Sequence, residues 1–188
     1  MKSVLISIQP KWVEKIASGE KTIEVRKTAP QEVPFKCYIY ETKGQYIKFT
    51  HGAHTKYGYG RGKVIGEFIC DKVYPIKNRG SSFSVADEEQ SVTNEIARQS
   101  CLYYDDMGSY FGNKDGFGWH ISDLKIYDKP KELSEFYIRK FDNNDYCSGC
   151  IHHETPITEY PCNDCRRDAF ERKYLTRPPQ SWQYVEEV

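Results

Sequence analysis

The sequence predicts an α+β protein in which short strands form a small β-barrel and a few helices flank it. Apolar residues alternate with small or polar ones along several short segments, as they do in strands that bury one face. Helical spacing of apolar residues is confined to a few stretches. Two pairs of cysteines near the C-terminal end predict an additional small metal-binding lobe. A length of 188 residues suits one domain, residues 1–188, that carries such an insertion.

The N-terminal part of the chain predicts four strands and one helix. Apolar and small residues alternate over residues 3–8, which predicts the first strand. Pro10 suits the first turn of the following helix, and Gly19 stands where that helix ends. Residues 50–62 are rich in Gly, His and Tyr and are predicted to form an exposed loop. The further strands are predicted at residues 22–26, 35–41 and 62–73.

The second half of the chain predicts two helices and further strands. Val92 and Ile96 indicate one helix, and Ser100 is a plausible N-cap of a second. Residues 117–128 return to strand character. A last strand, at the edge that closes the barrel, is predicted from three residues: Trp182, Tyr184 and Val185.

The paired cysteines have the spacing of a closed tetrahedral zinc site. Each pair is a Cys-x-x-Cys turn, and 11 residues separate the two pairs. Two disulfides, a redox dithiol or chance spacing are the alternatives, but a total of seven cysteines fits disulfides poorly. His152 or His153 could also replace one of the cysteine ligands. We predict one structural Zn²⁺ that organises residues 142–170, with four thiolate ligands: Cys147, Cys150, Cys162 and Cys165.

The composition bounds the possible partners. Lys plus Arg and Asp plus Glu are both 27, so the formal charge is zero and there is no general positive field for nucleic acid. Any anion site must therefore come from a local arrangement. The apolar runs are too short for a signal peptide or a membrane span, so we expect a soluble, cytoplasmic protein with no membrane partner.

Two stretches are locally basic. One spans residues 166–177. The other, residues 46–63, mixes Lys, Arg and His with three tyrosines, a composition that suits single-stranded nucleic acid or a flipped base but also an ordinary flexible loop.

The second predicted strand carries an unusual concentration of charge. Residues 19–26, GEKTIEVR, contain two cations, two anions and a hydroxyl. Thr22, Glu24 and Arg26 fall on one face by the two-residue period of a strand. A solvated strand with surface ion pairs is the plain alternative. A lysine near a carboxylate and an arginine could instead hold a phosphate or polarise a carbonyl in a cleft between helix and barrel.

Several motifs resemble the ASCH domain, a relative of the PUA and EVE families. The opening motifs are SIQP at residues 7–10 and GEKTIEVR at residues 19–26. GKVIGEF at residues 62–68 and GWHISDL at residues 118–124 are similar to later strands of the family. The ending RPPQSWQYVEE at residues 177–187 is similar to the tail of bacterial and phage members. The resemblance implies a PUA-like mixed barrel with a cleft between helix and barrel.

The resemblance also implies a function for the charged strand. Family members have been linked to RNA or modified-base binding, and some are hydrolases that act on acylated cytidine. In those hydrolases a Lys, a Thr, an Arg and a Glu form the site. Lys21 and Arg26 match, whereas Glu24 occupies the expected Thr position. Glu88, Glu89 and Glu95 lie in the helical region that supplies the remaining Glu, and Glu95 is the first choice. The candidate catalytic residues are therefore Lys21, Glu24 and Glu95.

We favour a binding module for RNA or a modified nucleotide over an enzyme, because Glu24 departs from the known chemistry. The alternatives are a hydrolase of an acylated nucleoside or of RNA, which would use Lys21 and a carboxylate, and a phage-type protein that binds a protein partner. The oligomeric state stays open. On the binding hypothesis, Lys21→Ala and Arg26→Ala weaken binding without lowering thermal stability. The predicted cleft is lined by six residues: Gln9, Trp12, Lys21, Thr22, Glu24 and Arg26.

The zinc site predicts a measurable metal content. Purified protein is expected to hold about one equivalent of zinc, and Cys162→Ser should release it and unfold residues 142–170 while the strands of the barrel persist. Elemental analysis measures the first effect, and circular dichroism with limited proteolysis measures the second. Cys101→Ser, which removes a cysteine outside the two pairs, is the matched control and should retain the metal. A metal-free chain with a folded lobe would contradict the prediction.

Overall fold

The computed structural model describes residues 1–51, 54–80, 82–102, 104–141 and 170–188. It is a mixed α+β structure made mostly of strands. The helices are α1 (Pro10–Ala17), α2 (Gln90–Ser100), α3 (Tyr104–Phe111) and a short 3-10 helix (Leu133–Glu135). The strands of the first part are β1 (Ser3–Ile8), β2 (Ile23–Arg26), β3 (Phe35–Glu41), β4 (Gly44–His51), β5 (His54–Gly60), β6 (Lys63–Cys70), β7 (Val73–Asn78) and β8 (Phe83–Val85). The later strands are β9 (Gly116–His120), β10 (Ser122–Lys131), β11 (Phe136–Phe141), β12 (Phe170–Tyr174), β13 (Trp182–Tyr184) and β14 (Glu186–Glu187).

Two larger sheets carry the described part of the fold. The first has the order β10-β6-β3-β1-β13, with β1 parallel to β3 and antiparallel to β13. The second has the order β2-β9-β7-β8 and is antiparallel throughout. β4 and β5 form a separate hairpin, and β11 lies between β12 and β14 in a small third sheet. The predicted C-terminal edge strand is confirmed, since β13 pairs with β1.

The predicted closed barrel is not found among the described residues. The first and second sheets are joined where β6 leads into β7 and where β9 leads into β10, but no backbone ladder connects edge strand β13 to edge strand β2 within the described ranges. Pro178 and Pro179 precede β13 and have no N–H group to donate to such a ladder. Pro179 instead accepts a hydrogen bond from Ser7 Oγ through its carbonyl.

The strands β1 and β3 of the first sheet are buried on both faces, which explains their continuous apolar runs, whereas β10 and β13 at its edges are partly exposed. Val4, Ile6 and Ile8 of β1 point into a core that α1 covers. Leu5 points to the other side, where it packs in a second core with Phe136. A third core lies between the second sheet and helices α2 and α3. Strands of this kind appear in the sequence as short apolar runs bounded by turn residues, and not as a strict two-residue period.

Helix α1 follows the sequence prediction from end to end. Pro10 occupies its first turn, and Val13 and Ile16 form its buried face. Gly19 has φ +78, the left-handed conformation that often follows a helix. The turn returns at once to the sheet, because Lys21 N–H donates to the carbonyl of Lys15.

The predicted loop at residues 50–62 is instead largely a strand. β5 covers most of it and pairs with β4 in an antiparallel hairpin that the sequence analysis did not predict. Gly60, at the base of this hairpin, passes very close to its neighbours: a Cβ there would lie 1.9 Å from the carbonyl oxygen of Thr42 and 2.5 Å from Pro10. Glycine at position 60 therefore permits a close contact of the hairpin backbone with Thr42 and Pro10, which holds the hairpin against α1.

Two further predictions of secondary structure were wrong in detail. Ser100 is the last residue of α2 and not the N-cap of α3. Its hydroxyl donates to Ala97 and accepts from the N–H of Leu102, so it terminates one helix instead of starting another. The strand character predicted at residues 117–128 is confirmed, but it is divided between β9 and β10 at Ile121, where the chain passes from one sheet to the other.

The four predicted zinc ligands lie outside the described residues. Phe141 of β11 and Phe170 of β12 are directly paired, so the segment between them leaves and re-enters the sheet at one place. Within the described ranges, no group of three or more His, Cys, Asp or Glu side chains is placed to hold a metal ion. The helices of those ranges include none long and apolar enough to span a membrane.

The buried first sheet predicts a large cost for truncating its central strand. Ile39 of β3 is fully buried, so Ile39→Ala should lower the free energy of unfolding by about 2–5 kcal/mol. Ile47 of the hairpin is 62% exposed, and Ile47→Ala should change it by less than about 0.5 kcal/mol. Chemical denaturation of both variants measures the difference. Equal effects would contradict the assignment of the core.

Candidate functional site

Strand β2 separates the charged residues from the apolar ones, as its sequence predicts. Ile23 and Val25 pack in the core beneath α2 and α3. Glu24 and Arg26 lie on the opposite face. Trp119 of β9 is the direct cross-strand partner of Glu24, so its side chain shares that face. The charged face of β2 is therefore turned toward the interior between the two larger sheets.

Lys21 is held at the start of this strand by hydrogen bonds to the backbone. Its ammonium donates to the carbonyl of Ile23 at 2.8 Å and to that of Ser100 at 2.6 Å. A third acceptor, Glu24 Oε2, lies 3.5 Å from Nζ. Burial lowers the pKa of the Lys21 ammonium, and the Glu24 carboxylate opposes that shift. Three acceptors around one Nζ fit the protonated ammonium, which has three N–H donors.

Glu24 is placed between two cations. Its Oε1 lies 3.0 Å from Nη2 of Arg26, while Oε2 is the atom near Lys21. The same Nη2 of Arg26 donates to the carbonyl of Ser7 at 2.6 Å, which connects β2 to β1. The exposed fractions are 2% for Lys21, 5% for Glu24 and 7% for Arg26. Such burial excludes the solvated surface strand as an explanation of these charges.

Three buried polar atoms of this face make no hydrogen bond of ordinary geometry in the described part of the chain. They are Glu24 Oε2, Arg26 Nε and the indole nitrogen of Trp119. Glu24 Oε2 still has an ion-pair partner, the Lys21 ammonium at 3.5 Å, whereas the two N–H donors have no acceptor among the described residues. A buried polar group without a partner costs about 1–3 kcal/mol, so folded proteins rarely leave several together. Two N–H donors, beside a carboxylate oxygen that has only this ion pair within the described ranges, are thus available on a single sheet face for a group that enters from outside the chain.

We call Lys21, Glu24, Arg26 and Trp119 the cluster. The remaining residues of the predicted cleft lie at its edge. Trp12 of α1 is half-buried, and the Nζ of Lys21 lies 5.4 Å from the centre of its ring. Gln9 is the exposed N-cap residue of α1. Thr22 is half-buried, and its N–H donates to the carbonyl of Gln99 in α2. The structure therefore brings Lys21, Glu24 and Arg26 together, with Trp12 beside them.

The C-terminal segment covers the cluster, a role that the sequence analysis did not predict. Ser7, whose carbonyl accepts from Arg26, donates through N–H to Ser181 and through Oγ to Pro179. Trp182 packs on Trp119 with ring centres 5.6 Å apart. Sequence spacing places Trp182 on a terminal strand, but nothing local indicates that this strand lies beside residues from the start of the chain.

The comparisons with known proteins agree with this architecture. The sequence profile of the ASCH domain matches residues 6–138. The chain belongs to the ASCH domain family. The match covers the end of β1 and all of α1 and β2, which carry the charged cluster, and it ends before the four paired cysteines. A comparison with curated protein sequences finds no match.

Two solved structures show the same ASCH fold. A crystal structure of ASCH from Zymomonas mobilis has a TM-score of 0.54 and 17% identity, over 98% of this chain and 88% of the other. A serine-to-alanine variant of that protein gives a TM-score of 0.54 and 16% identity, over 98% of this chain and 89% of the other. At such identity the similarity concerns the fold alone.

Glu95, the predicted carboxylate partner in the ASCH site, lies on the exposed surface of α2. Its carboxylate accepts hydrogen bonds from Arg98 and Gln99 on the same helix. The hydrogen bond from Arg98 is the main cause that lowers the pKa of Glu95 to about 2. The described contacts of Glu95 are thus on its own helix and not with Lys21 or Arg26.

His120 follows Trp119 on β9 and lies on the opposite face of the strand from the cluster. Its Nδ1 lies 2.6 Å from Asp71 Oδ1, at the corner where β6 leads into β7. The histidine is partly exposed and has Asp71 as its partner. The hydrogen bond from His120 lowers the pKa of Asp71.

The burial of the cluster revises the stability expected of its variants. Lys21→Ala leaves two backbone carbonyls and Glu24 without their cation, and it should lower the free energy of unfolding by about 3–5 kcal/mol. Lys15→Ala is the control, because Lys15 pairs with Glu20 on the surface and such pairs contribute about 1 kcal/mol or less. Thermal or urea unfolding measures both. Equal stability of the two variants would contradict a structural role for Lys21.

Proposed function

We propose that this ASCH domain is a binding module that recognises RNA or a nucleoside through the polar edge of one base. The observation that carries the proposal is the buried polar face of Glu24, Arg26 and Trp119. In the described part of the chain, two N–H donors of this face have no acceptor and Glu24 Oε2 has only the ion pair with Lys21 at 3.5 Å. Membership of the ASCH family supports the same class of ligand.

The hydrogen-bonding groups of the cluster favour one kind of base. Glu24 Oε2 accepts, whereas Arg26 Nε and the indole nitrogen of Trp119 donate. Cytosine presents the complementary set along its pairing edge: an amino group that donates, and a ring nitrogen and a carbonyl oxygen that accept. A carboxylate that accepts from the amino group of cytosine is an established mode of recognition. Uracil has a carbonyl oxygen where cytosine has its amino group, and a ring N–H where cytosine has a ring-nitrogen acceptor. Two of the three hydrogen bonds would therefore be mismatched, so uracil fits less well.

The cluster is closed in the present conformation, so binding requires that covering groups move. Trp12 lies against Lys21, and the segment before β13 is bound to Ser7. Trp182 adds an aromatic cover over Trp119. A base extruded from a single strand, once inside, would meet aromatic faces as well as polar atoms, the combination that flipped-base pockets use.

A hydrolase of an acylated nucleoside or of RNA is the second candidate. It is favoured by the buried pair of Lys21 and Glu24, whose atoms lie 3.5 Å apart. A lysine with a lowered pKa beside a carboxylate is a common arrangement for acid-base catalysis. The two short hydrogen bonds from Lys21 to backbone carbonyls argue for binding instead, because they hold the ammonium protonated and fixed in place.

We further propose that the four paired cysteines bind one structural Zn²⁺ beside this module. The spacing of Cys147, Cys150, Cys162 and Cys165 supports it. The direct pairing of Phe141 with Phe170 provides an anchored base for a small lobe between these residues. A closed four-cysteine site has no open coordination position, so it supplies local stability and not chemistry.

Removal of a single N–H tests the base-recognition proposal. Trp119→Phe deletes the free indole donor and keeps an aromatic ring in the core. We expect it to weaken cytidine binding about tenfold, while the wild type binds cytidine more tightly than uridine. Glu24→Gln should reduce the preference for cytidine over uridine. The side-chain amide has one acceptor oxygen and one NH2 donor, whereas the carboxylate has two acceptor oxygens. Isothermal titration with both nucleosides measures these effects.

Trp182→Phe is the matched control, since the indole N–H of Trp182 already donates to Thr28. It makes the same chemical change beside the same site and should leave the affinity for cytidine close to that of the wild type. Equal losses in both tryptophan variants would contradict the proposal. Release of the acyl group from an acylated cytidine by the wild type would favour the hydrolase, and the absence of both binding and turnover would favour a protein partner.

A further inference from the structure

The hairpin of β4 and β5 exposes large side chains on one of its two faces. Gln45 pairs with Tyr59 and Ile47 pairs with Tyr57, so all four side chains share a face. Tyr59 is 71% exposed, Ile47 62% and Tyr57 52%. Three large apolar or aromatic side chains in one row on a two-stranded ribbon are unusual for a surface without a partner. We call this row the outer face of the hairpin: Gln45, Ile47, Tyr57 and Tyr59.

The opposite face of the hairpin is already occupied. Tyr46 is half-buried over Gly58, where an added Cβ would lie 2.4 Å from its ring. Lys48 pairs with Glu14 of α1 at 3.0 Å. Burial is the main cause that raises the pKa of the Tyr46 phenol. The hairpin is therefore packed on α1 through its inner face, and the exposure of the outer face is fixed by that packing.

The charge of the hairpin region is strongly one-sided. Residues 42–66 contain no Asp or Glu, although the whole chain has as many acids as bases. Two histidines add to this positive character when protonated. The region has five cationic side chains: Lys43, Lys48, Lys56, Arg61 and Lys63. Glu14, Glu41 and Glu132 from outside the region pair with Lys48, Arg61 and Lys63.

Aromatic side chains in a locally positive region are the features that bind single-stranded polynucleotides. Bases stack on exposed aromatic rings irrespective of their sequence, and Lys or Arg follows the phosphates. Protein–protein interfaces are also rich in Tyr, but they are depleted in Lys, and four of the five cations of this region are lysines. Lys43 and Arg61 are exposed at the base of the hairpin, beside the row of large side chains.

We propose that the outer face of the hairpin is a stacking platform for single-stranded RNA. This inference rests on the proposed function and extends it: one base enters the cluster of Glu24, Arg26 and Trp119, and neighbouring bases of the strand stack on Tyr57 and Tyr59. Helix α1 connects the two places. Its Trp12 contacts Lys21 of the cluster, and its Glu14 contacts Lys48 of the hairpin.

Substitution of the two exposed tyrosines tests the platform. The probes are a labelled single-stranded RNA of about a dozen nucleotides, the length that a platform of this class covers, and free cytidine. Tyr57→Ser and Tyr59→Ser should each weaken RNA binding by about fivefold or more, since stacking on one ring contributes that much. Their affinity for cytidine should not change, because the nucleoside does not reach the hairpin. Fluorescence anisotropy and calorimetry measure the two affinities.

Tyr110→Ser is the matched control. Tyr110 is 36% exposed on α3, away from the hairpin, and its loss should not affect RNA binding. Lys43→Gln should lower the slope of log affinity against log salt by about 0.7, the value for one lost phosphate contact on a single strand. Unfolding midpoints of all variants are expected to match the wild type, because the substituted side chains are exposed.

The outcomes separate the platform from the base pocket. If cytidine fails to bind while the tyrosine variants still lose RNA affinity, the base pocket is wrong and the platform stands. Unchanged RNA affinity in Tyr57→Ser and Tyr59→Ser overturns the platform, whatever cytidine does. It is equally overturned if these variants abolish self-association measured by sedimentation and keep RNA affinity, because a second copy of the chain would then be the partner. Duplex RNA that competes as well as single-stranded RNA also contradicts it.

Discussion

The buried carboxylate of Glu24 is the interaction on which the arrangement of this ASCH domain depends. Lys21 and Arg26 lie on its two sides, and each cation also reaches a carbonyl in another element. Lys21 bonds Ser100 at the end of α2, and Arg26 bonds Ser7 on β1. Two buried cations would be strongly unfavourable without the carboxylate between them. One acid thus ties the second sheet to the first and to the helix that covers it.

The same constraint explains why recognition and stability share atoms in this region. Lys21 donates to two backbone carbonyls and Arg26 Nη2 donates to a third. Among the described residues, this leaves Arg26 Nε without an acceptor and Glu24 Oε2 with only its ion pair to Lys21. Trp119 adds a second N–H without an acceptor in those ranges, from β9. These atoms are already desolvated and held in place, so their side chains lose little conformational freedom when a ligand binds to them. A substitution that removes any of these side chains therefore destabilises the fold as well as weakening the binding of a ligand.

Local patterns predicted the elements whose periods and end signals agree. The strands β1 and β3 are indicated by their own apolar residues, and α1 is marked by Pro10 and Gly19. Each of these signals lies within a few residues of the element that it defines. The C-terminal edge strand was also predicted, although its pairing with β1 was not. A closed barrel is not found among the described residues, and the hairpin was predicted as a loop because glycines and tyrosines obscured its alternation. The burial of Lys21 could not be predicted, since its partner Ser100 lies 79 positions away in the sequence.

The direct pairing of Phe141 with Phe170 has a consequence for the chain that joins the two strands. Cross-strand partners in an antiparallel ladder have Cα atoms about 5 Å apart, which is the span of a tight turn. The two ends are therefore close enough for a connection of any length from a tight turn upward. The ladder of β11 and β12 places no upper limit on that length, so this junction can carry a segment as long as residues 142–169 without a gap between the strands.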